Sequence, residues 1–377
     1  MSGLVRLRQN AAQSRGRRYP ELAHPFRNDF QVDRDRIVLA RAFRRLEDKT
    51  QVFPAGDSDH FRNRLTHTIE VAQFARTVSS VLGLDEDLTE ALALAHDIGH
   101  PPFAHAGEYE LNRQMERFGD RFDHNLHALR IVEFFEDRYA RFPGLNLTFE
   151  VREGIVKHSH DFAPGEEPEL EEYLPGLRPP LEAQIIDLAD EIAYNTADLD
   201  DTFAAGFFAM ADVAAEVPAF SELLEEIANQ FPGAPEKVQF QEIQRSLMDR
   251  LLSGLINGTA AAAKDSGVET VDDVRAFPKR LATFTPDTTA LARQLKTFLA
   301  GRVYNSSRLH GERKRSTAKI ERLFEYFLLH PDRLPDSFRK SAAKVPLHRV
   351  VCDYIAGMTD GYFLRCYSEQ KLDADAI

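Results

Sequence analysis

"RLTHTIEVAQFARTVSSVL", residues 64–82, decides the fold. Its apolar side chains Leu65, Ile69, Ala72, Phe74 and Val78 fall near the i, i+3, i+4 spacing that lines one face of a helix. The same period recurs along the chain. "DLTEALALAHDIG" (87–99) offers Asp87 or Thr89 as a start and Gly99 as a stop. "PPLEAQIIDLADEIAYNTADLDDTF" (179–203) opens with prolines, which a first turn tolerates, and continues with good helix formers. "EIQRSLMDRLLSGLINGTAAAA" (242–263), "STAKIERLFEYFLLH" (316–330) and "HRVVCDYIAGMTDGYFLRCY" (348–367) each read as a helix. Alternating strand patterns of useful length are missing. The expected fold is all-α.

The breaks between these helices mark no domain boundary. "DFAPGEEPELEEYLPGLRPP" (161–180) is rich in Pro and Glu and reads as a surface loop without apolar residues to pack. We therefore expect a basic N-terminal arm (1–30) and one helical domain (31–377). Its core lies at about 60–205 and a C-terminal helical part at about 206–377.

The 377 residues carry a net charge of −13, which argues against indiscriminate nucleic-acid binding by the body of the protein. No apolar run approaches the roughly 18 residues of a membrane span, and the N-terminus lacks the apolar stretch of a signal peptide. Cys352 and Cys366 are too few for a disulfide framework, so a reducing cytoplasm is the expected compartment. Positive charge is concentrated in two places. Arg6, Arg8, Arg15, Arg17 and Arg18 crowd the first twenty residues, and "GRVYNSSRLHGERKRSTAKIER" covers 301–322. Each is either a solvated face or a contact for the phosphates of a nucleotide, an effector or single-stranded nucleic acid.

Nine of the thirteen histidines lie between residues 60 and 160, which is where chemistry is to be sought. "AHDIGHPPFAHAGE" (95–108) alone holds three of them with an aspartate and a glutamate. Adjacent residues on a regular helix point about 100° apart, so His96 and Asp97 can share an ion only near a helix end. Gly99 and Pro101–Pro102 supply such an end. Taken with His67 and Asp190, this mixed imidazole and carboxylate set suits a borderline divalent metal: Mn, Fe, Co, Ni or Zn, with Mg if water completes the shell.

In "FRRLEDKTQVF" (43–53), "RNRLTHTIEV" (62–71), "HDIGHPPFAHAGE" (96–108), "FDHNLHALRIVE" (122–133), "ADEIAYNTADLDD" (189–201) and "DYIAGMTDGYFL" (353–364) the chain resembles the HD-domain metal phosphohydrolases. Within them it resembles the dGTPase-like deoxynucleoside triphosphate triphosphohydrolases. The resemblance implies an all-α HD fold assembled as dimers or hexamers, with His67, His96, Asp97 and Asp190 as metal ligands. It also implies His105 and Glu108 as the catalytic pair. Chemistry agrees, since an alkoxide leaves phosphorus efficiently only when a proton reaches it, and a positioned histidine donates near neutral pH. Glu108, three residues on, is placed to hold that imidazole.

Asp190, Tyr194 and Asp198 recur every four residues and share one helix face. By resemblance, Tyr194 lies against the sugar and Asp198 helps bind the deoxynucleotide. A ring against the 2′-carbon would exclude a ribose hydroxyl. Arg64 matches a phosphate-binding arginine, and Gln51 and Val52 match a pair beside sugar and base. His124 and Asn125 line the phosphate path, and His100 supports the others. Ala104 departs from the glycine of many relatives. A distal arginine at the terminal phosphates is left among Arg302, Arg308, Arg313 and Arg315.

The expected activity is metal-dependent hydrolysis of a dNTP (dGTP or several dNTPs) at the α-phosphorus, giving deoxynucleoside and inorganic triphosphate. The alternatives are a nucleotidase acting on monophosphates or signalling nucleotides, and a nucleotide-gated nucleic-acid-binding scaffold. A homo-oligomer in which Arg313, Lys314 or Arg315 contributes to a nucleotide-effector or subunit contact is expected; a membrane partner is not.

Overall fold

The computed structural model describes residues 3–52, 61–342 and 344–372. Residues 64–82 form one helix, Arg64–Leu82, and Ala72 and Val78 of the expected stripe are buried, but the buried face is rotated from the rest of it. Ile69 is 49% exposed, whereas Arg64, His67, Thr68, Val71, Ala75 and Val78 are buried. Hydropathy misplaces the stripe because Arg64 and His67 are polar side chains whose carboxylate partners make burial tolerable. Among the described residues, the only extended pairings are the isolated bridges Arg17–Thr148 and Thr50–Asn63. The fold is all-α, and no described helix is long and apolar enough to cross a membrane.

The chain forms two compact units. The first comprises Met1–Asp35, His67–Leu94 and Thr148–Ser306. Its long helices Leu181–Ala204 and Glu236–Ser266 pack against Pro286–Leu299. Aromatic rings fill the seams: Phe203 stacks on Phe240 at 3.9 Å between centroids, and Phe208 meets Phe298 edge-on at 4.9 Å. Burying each such ring stabilises the unit by roughly 1.5–3 kcal/mol. The helix expected to start at Asp87 or Thr89 starts earlier, as Glu86–Ala95, because Asp85 caps it by accepting from the Leu88 N–H at 3.0 Å.

Carboxylates of the same unit meet four of the five arm arginines. Arg6 pairs with Glu269 at 2.9 Å, Arg8 with Asp85 at 2.7 Å, Arg17 with the buried Asp33, and Arg18 with Glu172. The expectation for 161–180 is corrected, for Phe162, Leu170 and Tyr173 in that loop are buried. The turn Pro168–Tyr173 directs the last two inward, and Arg152 donates to the Tyr173 hydroxyl at 2.6 Å.

The second unit comprises Arg36–Thr66, Ala95–Leu147 and Ser307–Ile377. Its helices Ala104–Glu116, Ser307–Leu329 and Leu347–Ala356 enclose Leu111, Met115, Ile320, Phe324, Val351 and Ile355. The stretch 348–367 is not one helix. It breaks after Ala356 and resumes as Asp360–Glu369. Gly357 favours a stop, and Thr359 caps the next helix by accepting from the Tyr362 N–H at 3.2 Å.

Candidate metal and phosphohydrolase site

Each unit carries half of the expected ligand set. In the first, helix Arg64–Leu82 presents His67 and helix Leu181–Ala204 presents Asp190. The His67 Nε2 lies 2.7 Å from Asp190 Oδ1, with the histidine 1% and the carboxylate 24% exposed. One and two turns further along the same helix stand Tyr194 and Asp198. Burial, then Glu191 and Asp190, push the Tyr194 phenol up, so its hydroxyl stays protonated and able to donate. Asp198 accepts a hydrogen bond from the Tyr304 hydroxyl.

In the second unit, helix Glu86–Ala95 has ended before His96. The chain then turns tightly, with the His100 N–H donating to the Asp97 carbonyl at 3.2 Å. That turn lets neighbouring side chains converge, and His96 Nε2 comes within 3.5 Å of Asp97 Oδ1. Asp97 also meets Arg64 Nη1 at 2.7 Å and His100 Nδ1 at 2.9 Å. Burial opposes its ionisation, but His96, Arg64 and His100 outweigh burial and hold the carboxyl well below the usual range. Arg64, expected to meet phosphate, is therefore committed to Asp97 here.

The fit to a cation can be tested within each half. Two ligand atoms about 2.1 Å from one ion lie roughly 3 Å apart when cis. The observed 2.7 and 3.5 Å bracket that value. An imidazole nitrogen and a carboxylate oxygen in each half form a donor set that borderline divalent metals accept. The residues fit.

Beyond Pro102 the chain makes a left-handed turn at Phe103 (φ 63°) and Ala104 (φ 54°) and enters helix Ala104–Glu116. Two glycines make room for it. A Cβ at Gly99 would sit 2.0 Å from the His124 carbonyl, and one at Gly107 would sit 1.9 Å from the Pro102 carbonyl. The turn leaves the His105 side chain 82% exposed, with its Nδ1 3.5 Å from Glu108 Oε2. The other oxygen of Glu108 accepts from the backbone N–H of His124 at 3.1 Å and contacts its Nδ1 at 2.6 Å. The His100 and His124 rings meet at 3.9 Å between centroids, tilted by 33°. Burial, then Arg64 and His124, keep His100 neutral by pushing its imidazole well down.

Comparison with known proteins agrees with this geometry. The HD domain family matches residues 64–195, and a phosphohydrolase-associated domain matches residues 282–369. A protein of Geobacter sulfurreducens is 44% identical over 94% of this chain and 91% of its own length. One of Azoarcus sp. is 45% identical over 94% of this chain and 93% of its own. Both are named deoxyguanosinetriphosphate triphosphohydrolase-like protein. The chain belongs to this family. It is a hydrolase whose HD domain is of the metal-dependent kind, and its His and Asp groups can hold a metal ion.

Other residues of this family member join the sites without a clear sequence signal. Lys296 Nζ lies 5.8 Å from the Tyr194 ring centroid, while Arg302, one of the four candidates for the terminal phosphates, pairs with Glu216 at 2.7 Å. Lys49 is buried, donates to the His100 carbonyl, and reaches the Ala356 carbonyl at 3.4 Å. Burial, then Arg45 and Arg64, push its ammonium down to about 7. Gln51 and Val52 are half-buried, and Gln51 Oε1 has no hydrogen-bond partner among the described residues. Asn125 is buried in the first turn of helix His124–Arg130.

Ala104, a non-glycine residue at φ 54°, has a measurable consequence. A non-glycine residue in the left-handed region costs roughly 1–2 kcal/mol. Ala104→Gly is expected to stabilise the protein by about 1 kcal/mol after the glycine's unfolded-state entropy is deducted. Denaturant titration checks this; an unchanged or lower midpoint refutes it.

The Glu108–His124 pair sets a pH window. Burial opposes the Glu108 carboxylate, but hydrogen bonds from His105 and His124 hold its carboxyl well below the ordinary 4.5. Burial likewise opposes the His124 cation, but Glu108 raises its imidazole above the ordinary 6.5. The pair's stabilisation is thus fully present between pH 4.5 and 6.5. It is lost as pH falls through the depressed carboxyl or rises through the raised imidazole. His124→Gln removes the cation, so the acid limb of the kcat/KM profile is expected to move to higher pH. A limb that stays in place would separate Glu108 from catalysis.

Proposed function

We propose that the protein hydrolyses deoxynucleoside triphosphates between the 5′-oxygen and the α-phosphorus, releasing deoxynucleoside and inorganic triphosphate. The observation that carries this reading is the Glu108-supported His105, an exposed imidazole three residues past the Pro-Pro break. Its Glu108 is itself fixed by two contacts to His124. A module that only binds nucleotides has no use for that arrangement.

The residues then take these roles. His67 and Asp190, with His96 and Asp97, are the residues that would hold a divalent cation. When bound, such a cation neutralises phosphate charge and makes a nucleophile of water near neutral pH. His105 gives its proton to the departing 5′-oxygen, while the Glu108 carboxylate fixes the ring. His124 and Asn125 line the phosphate path, and Arg64 balances the charge of Asp97. Tyr194 lies against the deoxyribose and Asp198, oriented by Tyr304, binds the nucleotide. Gln51 Oε1, which has no hydrogen-bond partner among the described residues, accepts from the 3′-hydroxyl, with Val52 beside the base. Lys296, close to Tyr194, supplies the cation for the terminal phosphates.

Product analysis with each of the four dNTPs and several divalent metals tests the reading. Deoxynucleoside plus inorganic triphosphate is the expected outcome. Monophosphate, or nucleoside plus single phosphate, would reassign the chain to a nucleotidase, and no turnover would leave a binding protein.

A further inference from the structure

We propose that Asp360, at the start of the C-terminal helix Asp360–Glu369, is a positioning residue that locks the Gln51 loop and the His105 turn into one arrangement. This rests on the reading above, in which His105 donates the proton and Gln51 meets the sugar. All the residues involved belong to the second unit.

The Asp360 carboxylate is 5% exposed and divides its oxygens between the two segments. Oδ1 accepts from the Phe103 N–H at 3.0 Å. Oδ2 accepts from the Thr50 N–H at 3.0 Å and from the Thr50 hydroxyl. Thr50 immediately precedes Gln51, and Phe103 lies two residues before His105. Three donors from two distant parts of the sequence thus converge on one anion. Such charge-assisted bonds are about twice as strong as neutral ones.

The Phe103 bond has a specific task. Phe103 precedes helix Ala104–Glu116 and gives it no side-chain cap, and both Phe103 and Ala104 are left-handed. A strained pair of this kind persists only when its surroundings over-determine it. Asp360 fixes the Phe103 backbone, and Phe363, one turn on, packs edge-on against the Phe103 ring at 5.0 Å between centroids. The break that puts Asp360 there is held from the same side. Arg45 donates to the Gly357 carbonyl at 2.8 Å, and Lys49 reaches the Ala356 carbonyl at 3.4 Å. The stretch 45–50 and the 356–360 break are therefore tied at successive points. A neutral amide could not replace the carboxylate, because its NH₂ would face an N–H or O–H donor.

The test uses the full chain and the variants Asp360→Ala, Thr50→Val, and Asp360→Ala combined with Ala104→Gly. Hydrogen exchange reads the clamp without reference to turnover. Asp360→Ala is expected to speed exchange at the Thr50 and Phe103 amides while helices Ser307–Leu329 and Leu347–Ala356 stay protected. Thr50→Val, which removes only the hydroxyl, is expected to speed Thr50 alone, and it keeps the test open if Asp360→Ala does not fold. In kinetics, Asp360→Ala is expected to lower kcat about 10²-fold, the usual cost of misplacing a reacting group by an ångström. Metal content should be unchanged. Ala104→Gly should restore part of the lost kcat per folded molecule and reprotect the Phe103 amide, since glycine holds the left-handed turn unaided; a purely structural role predicts a higher denaturation midpoint alone, with kcat per folded molecule unmoved. Unchanged exchange at both loops, exchange that rises evenly through the unit, or an unaltered kcat with freed loops would each overturn the proposal. If the wild type turns over no dNTP, the functional reading fails while exchange at Thr50 and Phe103 still decides the clamp.

Discussion

Asp97→Asn and His67→Ala are expected to abolish nucleotide turnover and to strip the protein of its divalent metal, while its helices stay folded. The choice of asparagine at 97 follows from the contacts. Arg64 is buried against Asp97 at 2.7 Å, so alanine would strand a buried guanidinium at a cost of about 3–5 kcal/mol. The variant would then fail for reasons unrelated to metal. Asparagine keeps an oxygen for Arg64 but loses the negative charge that a cation requires. At His67, alanine leaves Asp190 partly exposed and able to take up water, so folding should survive. Loss of an outer partner of a metal site typically costs 10–100-fold in affinity or activity, and loss of a ligand should exceed that. Elemental analysis, turnover and circular dichroism on the same preparations decide it. Full metal occupancy in both variants would sink the ligand assignment.

Arg64→Ala provides the contrast. It removes the cation that helps hold Asp97 ionised without removing a ligand. Metal affinity should therefore weaken within the outer-partner range rather than vanish. That ordering separates a residue that balances the ligand from the ligand itself.

The all-α class was legible because helical periodicity survives in long segments, and residues 64–82 form the expected helix. The buried face was legible only in part, because Arg64 and His67 enter the interior with carboxylate partners while Ile69 stays exposed. The break at 357–359 was also missed. Its signals, Gly357 and the capping Thr359, stand in the sequence, but the apolar residues on either side of them suit a continuous helix. The convergence of His96 and Asp97 was readable from Gly99 and the two prolines, since local backbone chemistry dictates it. Lys296, Tyr304 and Asp360 were invisible to the same reasoning. Their partners Tyr194, Asp198, Thr50 and Phe103 lie roughly a hundred residues or more away in sequence, and no local pattern encodes such a meeting.

His105→Ala is expected to lower kcat by roughly 10²–10⁴, the usual contribution of general acid–base catalysis. Stability and metal content should hardly change. The side chain is 82% exposed and its one close carboxylate contact is 3.5 Å long, so its removal opens no cavity. Nor does it strand Glu108, which keeps both of its contacts to His124. The defect should thus lie in the chemical step and leave KM nearly unaltered. A further comparison isolates the proton. A substrate whose leaving oxygen needs none, such as a nitrophenyl phosphodiester, should lose far less rate in His105→Ala than a dNTP does. If both substrates lose rate equally, or if KM rises while kcat stays constant, His105 binds the substrate rather than protonating its leaving group.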